Sequence, residues 1–219
     1  MGLLARQAAA EAFAALARRD ADLARRQIER DRKIDVMHRR IETKAIETIA
    51  RRQPVAVAVD LRELVSAVRI ANDLERIGDL AKSICKRVLL MDSPVHPDLL
   101  QPITRVSTPA MRQLGLVLES YADHDSGQAL SVWSSDKEID AAHAALLREL
   151  LTHMVEDPRN IVVCAHLLFC SKNLERIGDH TTNIAESVHY LVTGQRLDGE
   201  RPRGEDLNCC RAPSLDLPA

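Results

Sequence analysis

The most regular feature of this chain is an apolar stripe that returns every third or fourth residue. Ile70, Leu74, Ile77, Ala81, Ile84 and Val88 follow this spacing, and Leu167, Cys170, Leu174, Ile177, Thr181, Ile184, Val188 and Leu191 repeat it later. Positions so spaced share one side of a helix, and a narrow seam of this kind is what antiparallel bundles bury. Proline removes a backbone donor and clashes with the preceding turn, so the gaps between prolines are where helices fit. The gaps here predict helices at about 3–19, 21–51, 60–91, 99–122, 127–155 and 159–193, with ends good to a few residues. Asp20 and Asp60 carry the short acceptor side chain of an N-cap. Pro102 and Pro109 are expected to limit or kink the start of the fourth helix. The stretch MDSPVHPD separates the first three helices from the last three.

This pattern predicts an all-α fold: two tandem antiparallel three-helix bundles, residues 1–93 and 98–194. Beyond Gly194 the period is lost and Pro, Gly and charge dominate, so residues 195–219 are expected to form a disordered tail.

Composition narrows the function classes. Aromatic residues are only 2% of the 219 residues, which argues against a β-sandwich or barrel. The net charge is −2, with no basic stripe interleaved with aromatics, so no nucleic-acid partner is expected. No apolar run is long enough to span a bilayer, and the N-terminus lacks a signal-peptide pattern; no membrane insertion is expected. The five cysteines include no CxxC pair, which points away from disulfides and thiolate zinc and toward a reducing cytoplasm. No Gly-rich phosphate loop and no Ser-His-Asp arrangement is visible, so no reaction is indicated and the chain is expected not to be an enzyme.

Two motifs recur in the same order. The hexapeptide LERIGD stands at 74–79 and again at 174–179. Upstream of each copy lies Asp-x-x-Ile-Asp-x-x-His, as DRKIDVMH at 31–38 and DKEIDAAH at 136–143. Paired recurrence signals internal duplication. Residues four apart share a helix face, which pairs Asp31 with Asp35, Glu75 with Asp79, Asp136 with Asp140, and Glu175 with Asp179. Each half can therefore bring two carboxylate pairs together across neighbouring helices. Such clusters repel unless a cation sits among them, and Mg²⁺, Mn²⁺, iron or Zn²⁺ would serve. His38, His143 and His180 could add nitrogen ligands. A carboxylate pair on a helix is ordinarily a solvated face, and Arg76 and Arg176 could neutralise these instead. Spacing alone leaves both readings open. Gly78 and Gly178, costly in mid-helix, suggest close helix approach.

RIANDLERIGDLAKSICKRV and SKNLERIGDHTTNIAESVHYLVTG resemble the PhoU family, accessory regulators of high-affinity phosphate transport, over roughly residues 1–196. The resemblance implies a pseudo-twofold pair of three-helix bundles and a multinuclear iron or zinc cluster held by E/DxxxD motifs. Those motifs fall on Asp31, Asp35, Glu75, Asp79, Asp136, Asp140, Glu175 and Asp179. It also implies a cytoplasmic homodimer that represses phosphate uptake and the phosphate-starvation response. The implied partners are the transporter's ATPase and a phosphate-sensing histidine kinase. Members carry roughly 20 further residues ahead of the Met1 position, one more helical segment, so the first helix is expected to be shortened. Two other readings share the pattern: a metal-free helical adaptor and a carboxylate di-iron oxidase. The oxidase would want Glu-x-x-His motifs within a bundle core, whereas this chain offers Asp-x-x-His flanking its seam.

Overall fold

A helix leaves its first amides and last carbonyls without partners, so its ends need other groups to satisfy them. The chain does this at matching points of its two halves. Asp20 accepts a hydrogen bond from the Leu23 amide at 2.8 Å. Asp125 accepts from the amides of Gly127 and Gln128 at 2.8 and 3.0 Å. Immediately before each cap stands a non-glycine residue in the left-handed region, Arg19 at φ 54° and His124 at φ 56°. The chain thus reverses in the same way at both places. These features come from a computed structural model that describes residues 1–51, 58–91 and 97–197, with the backbone alone for residues 51, 58–60, 97 and 136.

The elements in order are α1 (Gly2–Arg18), α2 (Ala21–Arg30), α3 (Arg32–Arg51), α4 (Ala58–Leu89), α5 (Pro97–Asp123), α6 (Ser126–Ser134), α7 (Asp136–Glu156) and α8 (Ile161–Thr193). One 3-10 turn, Pro158–Asn160, leads into α8, and no strand occurs among the described residues.

Several details differ from the sequence expectation. The helix predicted over 21–51 is divided at Asp31, and the one over 127–155 at Ser135. Neither place carries proline or glycine. At Asp31 one carbonyl accepts from the amides of both Ile34 and Asp35, at 2.8 and 3.3 Å, which tightens the turn. At Ser135 the hydroxyls of Ser134 and Ser135 both donate to the Ser131 carbonyl, at 3.0 and 2.7 Å, competing with helical bonding. α4 starts at Ala58, which puts Asp60 inside its first turn and not at the cap; the Asp60 side chain lies outside the described residues. α5 begins at Pro97 and runs through both Pro102 and Pro109, as the helix predicted over about 99–122 also does. The Ser107 and Thr108 hydroxyls donate to the Thr104 carbonyl there, at 3.2 and 2.8 Å. The expected tail lies outside the described residues from position 198 onward, with Cys209 and Cys210.

Every residue of the two predicted seams is buried. α1, α2 and α3 pack on α4, while α5, α6 and α7 pack on α8, and α4 and α8 make the most extensive contact in the fold. One apolar cluster runs through both halves, joining Leu16, Ile77 and Ile84 to Leu114, Ile139 and Ile177. The duplication is visible at the α4–α8 contact. Asn183 donates to Asp73 at 3.4 Å, and Asn173 donates to Ser83 at 3.2 Å. Asp73 and Asn173 each precede a LERIGD copy, so a twofold rotation exchanges the two bonds. Cys85, Cys164 and Cys170 are buried free thiols. Burial pushes Cys85 and Cys170 up to about 12, which keeps them protonated and unreactive at neutral pH.

Candidate functional site

The geometry of both candidate sites begins at a glycine. A Cβ on Gly78 would stand 2.9 Å from Ile34 Cδ1, and one on Gly178 would stand 2.8 Å from Ile139 Cδ1. The isoleucine of Asp-x-x-Ile-Asp therefore seats on the glycine of LERIGD in each half. This close approach carries the carboxylates beside that isoleucine toward those beside the glycine.

In the first half Asp31, at the junction of α2 and α3, and Asp35 on α3 stand close to Glu75 and Asp79 on α4. Asp31 is only 1% exposed and bonds the Lys82 ammonium at 2.6 Å. The same ammonium lies 3.9 Å from Asp79 Oδ1. Arg76 stands 3.6 Å from Glu75 Oε2 and 3.8 Å from Asp79 Oδ2. Burial pushes the Asp31 carboxyl above its usual range; Lys82 opposes this, while Asp35 and Asp79 add to it. Burial and then Asp79 push Glu75 up as well. The bond to Asp31 raises Lys82, which stays charged. His38 is close enough to act on Glu75 electrostatically. Its Nε2 is buried without a hydrogen-bond partner, 3.8 Å from Glu42 Oε1.

The four predicted carboxylates thus do converge, and the sequence reading missed the lysine among them. Its signal was the divergence right after the repeat: LERIGDLAK in one copy, LERIGDHTT in the other.

The second half has the same frame with different charges. Asp140, Glu175 and Asp179 are half-buried, and of Asp136 only the backbone is described. The Lys172 ammonium lies 2.7 Å from the Glu175 carboxylate at the exposed edge of the site. His143 is buried, with Nδ1 at 2.6 Å from Ser171 Oγ. Burial, and then Lys172, hold its imidazole below the ordinary value against the pull of Asp140, which leaves it neutral at pH 7. At the position of Lys82 stands Thr182, whose hydroxyl donates to the Gly178 carbonyl at 3.1 Å. His180 belongs to neither cluster: its Nδ1 lies 2.9 Å from Asp73 Oδ1 at the α4–α8 contact.

The charges set beside the carboxylates differ between the two halves. In the first, Asp31 has already spent an oxygen on an ammonium, and Arg76 attends Glu75 and Asp79. In the second, Lys172 bonds Glu175 and the neutral hydroxyl of Thr182 stands at the Lys82 position; carboxylate oxygens and a neutral imidazole are the donor types a divalent cation takes. Among the described residues, no three His, Cys, Asp or Glu side chains are placed to hold a metal ion; the Asp136 side chain lies outside that set.

Comparison with known proteins places this geometry. The PhoU domain model matches residues 1–88 and 103–188, one match per half. A Rhizobium meliloti protein named phosphate-specific transport system accessory protein PhoU homolog is 48% identical over 206 residues, covering 94% of this chain and 86% of its own. A Caulobacter vibrioides protein of the same name is 46% identical over 209 residues, covering 95% and 90%. Among solved structures, PhoU from Pseudomonas aeruginosa superimposes with a TM-score of 0.81 at 37% identity, over 89% of this chain and 93% of its own. The phosphate transport system regulatory protein PhoU from Streptococcus pneumoniae gives a TM-score of 0.79 at 29% identity, over 90% and 92%.

Proposed function

This chain belongs to the PhoU family, and from that premise we propose that it is a negative regulator of phosphate uptake and of the phosphate-starvation response. The single observation that carries the proposal is likeness over nearly the full length, both halves included, to proteins named as accessory to phosphate-specific transport. The regulator works by contact. In this reading the chain acts in the cytoplasm as a homodimer and binds the ATPase of the phosphate transporter, the phosphate-sensing histidine kinase, or both. It catalyses no reaction. No helix among the described residues is long and apolar enough to cross a membrane, which fits a partner that docks on membrane machinery from outside the bilayer.

The metal part of the proposal rests on Asp136, Asp140, Glu175 and Asp179, with His143, whose imidazole feels the charge of Asp140, as the candidate nitrogen. A divalent ion bound there would neutralise the clustered carboxylates and fix α7 against α8. The metal-free adaptor reading draws its support from the first half, where Lys82 and Arg76 already supply positive charge.

The test is direct binding. Purified full-length chain is titrated against the solubilised transporter and, separately, against the kinase's cytoplasmic part. Saturable binding to at least one, with a micromolar or tighter Kd typical of transient regulatory contacts, is expected. Absence of binding to both removes the regulatory reading.

A further inference from the structure

The two copies of the repeat differ in the face they turn to solvent. We infer that the outward face of α3 holds the protein against an anionic lipid surface. This deepens the regulatory reading given above and rests on it: it names the surface that brings the chain to the membrane in which the transporter sits.

Charge is sorted by side around α3. Helical spacing puts Arg32, Lys33, Arg39, Arg40 and Lys44 on one side, and all are exposed. Val36, Arg39, Arg40, Thr43, Lys44 and Glu47 line one open depression there. Of the α3 acids, Asp35 acts on Glu75 of α4 and Glu42 stands 3.8 Å from His38, away from this side. Glu47 is the α3 acid that lies among the cations. Val36 is 52% exposed and Ile46 is 68% exposed beside them. α3 packs on α4 and touches α1 and α2, and the described residues leave its outward face open to solvent.

The second half supplies the contrast. At the positions of these cations α7 holds Lys137, Glu138, Ala144, Ala145 and Glu149. Its Glu138 and Glu149 bond Arg112 and Arg105 of α5. Leu151 is exposed where Ile46 is, so the apolar part is common to both halves and the cations set α3 apart. A basic helix face with aliphatic side chains among its cations is the composition that adsorbs at a bilayer interface. From Arg32 to Lys44 the cations are spread over about 18 Å of helix, which matches a field of headgroups better than a single anion. The net charge of the chain is −2, so an anionic surface attracts it through this face and not through its total charge.

Sedimentation with vesicles is the test. Full-length chain is mixed with vesicles of phosphatidylcholine alone, or of phosphatidylcholine with phosphatidylglycerol, at low and high salt. Binding is expected only where phosphatidylglycerol is present, and should weaken with salt. Arg39→Gln/Arg40→Gln should weaken it about tenfold, and Lys33→Gln/Lys44→Gln repeats the measurement at other cations of the face. Lys137→Gln/Arg148→Gln, an equal loss of charge from α7, should leave it unchanged. All these side chains are exposed, so the variants are expected to fold, which circular dichroism checks. No binding to the phosphatidylglycerol vesicles overturns the inference, as does equal weakening by the α3 and α7 pairs. So does salt-sensitive binding to soluble polyglutamate with none to vesicles, which would assign the face to an acidic protein. Each of these results leaves the regulatory reading standing; that reading falls instead with the loss of transporter and kinase binding, measured without vesicles.

Discussion

Asp31 is ionisable, buried and bonded to one cation, so its influence on stability has a definite sign. Its folded pKa is raised above the ordinary 3.8, so in the window just above that value the folded state holds more protons than the unfolded one. Stability therefore falls as pH rises through that window. Glu75 behaves the same way from 4.5 upward. Lys82 is raised from 10.5; its contribution is complete below that pH and is lost as pH rises through the raised value. Lys82→Met removes the group that holds Asp31 down, so the Asp31 window moves toward neutrality. The variant is expected to lose about 3 kcal/mol at pH 7, the low end for breaking a buried pair, and to recover part of it at pH 5. Urea unfolding at the two pH values measures this; an equal loss at both would contradict it.

Gly178 gives a second residue-scale test. Gly178→Ala gains about 1 kcal/mol of helix propensity but pushes a methyl to 2.8 Å from the buried Ile139, an overpacking cost of roughly 1–3 kcal/mol. A net loss in urea unfolding is expected, smaller when Ile139→Val makes room. At this scale the sequence was legible in part. The carboxylate pairs followed from helical spacing, and the packing role of Gly78 and Gly178 from the cost of glycine in mid-helix. Lys82 did not, because a lysine on a helix reads as solvated until its neighbour's burial is known. The ring partners of His143 and His180, Ser171 and Asp73, lie on other helices or other turns and carry no spacing signal.

At the scale of elements the repeat is clearest where helices begin. Asp20 and Asp125 cap α2 and α6 at equivalent points. Each loses about 1 kcal/mol on replacement by alanine, and because the two caps share no bonding partner the losses should add in the Asp20→Ala/Asp125→Ala protein. Denaturant midpoints of the two single variants and the double variant check this. The long helices were legible from proline gaps and from the seam. The breaks at Asp31 and Ser135 were not, because they arise from carbonyls shared between two donors and not from a residue unable to be helical. The passage of α5 through Pro102 and Pro109 agrees with the helix predicted over about 99–122: burial of Leu99, Ile103, Val106 and Ala110 outweighs the bonds the prolines cannot make.

The whole molecule is a duplicated unit whose halves share one core. Its apolar cluster is continuous across the α4–α8 contact, so one unfolding transition is expected. Trp133, the single tryptophan, sits in the second half and donates to Glu186 at 3.0 Å, which makes it a local reporter. Ile77→Ala, in the first half, should cost about 2–5 kcal/mol and move the Trp133 fluorescence transition together with the helical circular dichroism signal. Two separate transitions would refute the shared core. The recurrence of LERIGD announced the duplication, but the exchange of Asp73–Asn183 with Asn173–Ser83 across the twofold lay beyond what spacing along one chain can express.

The central claim is that this molecule regulates phosphate uptake by binding, and complementation tests it most directly. The full chain is expressed in a bacterial host deleted for its own PhoU-type gene, and a phosphate-repressed phosphatase is assayed in phosphate-rich medium. Restored repression is the expected result. Phosphatase that stays fully derepressed, with the chain present and folded in the cells, would contradict the claim.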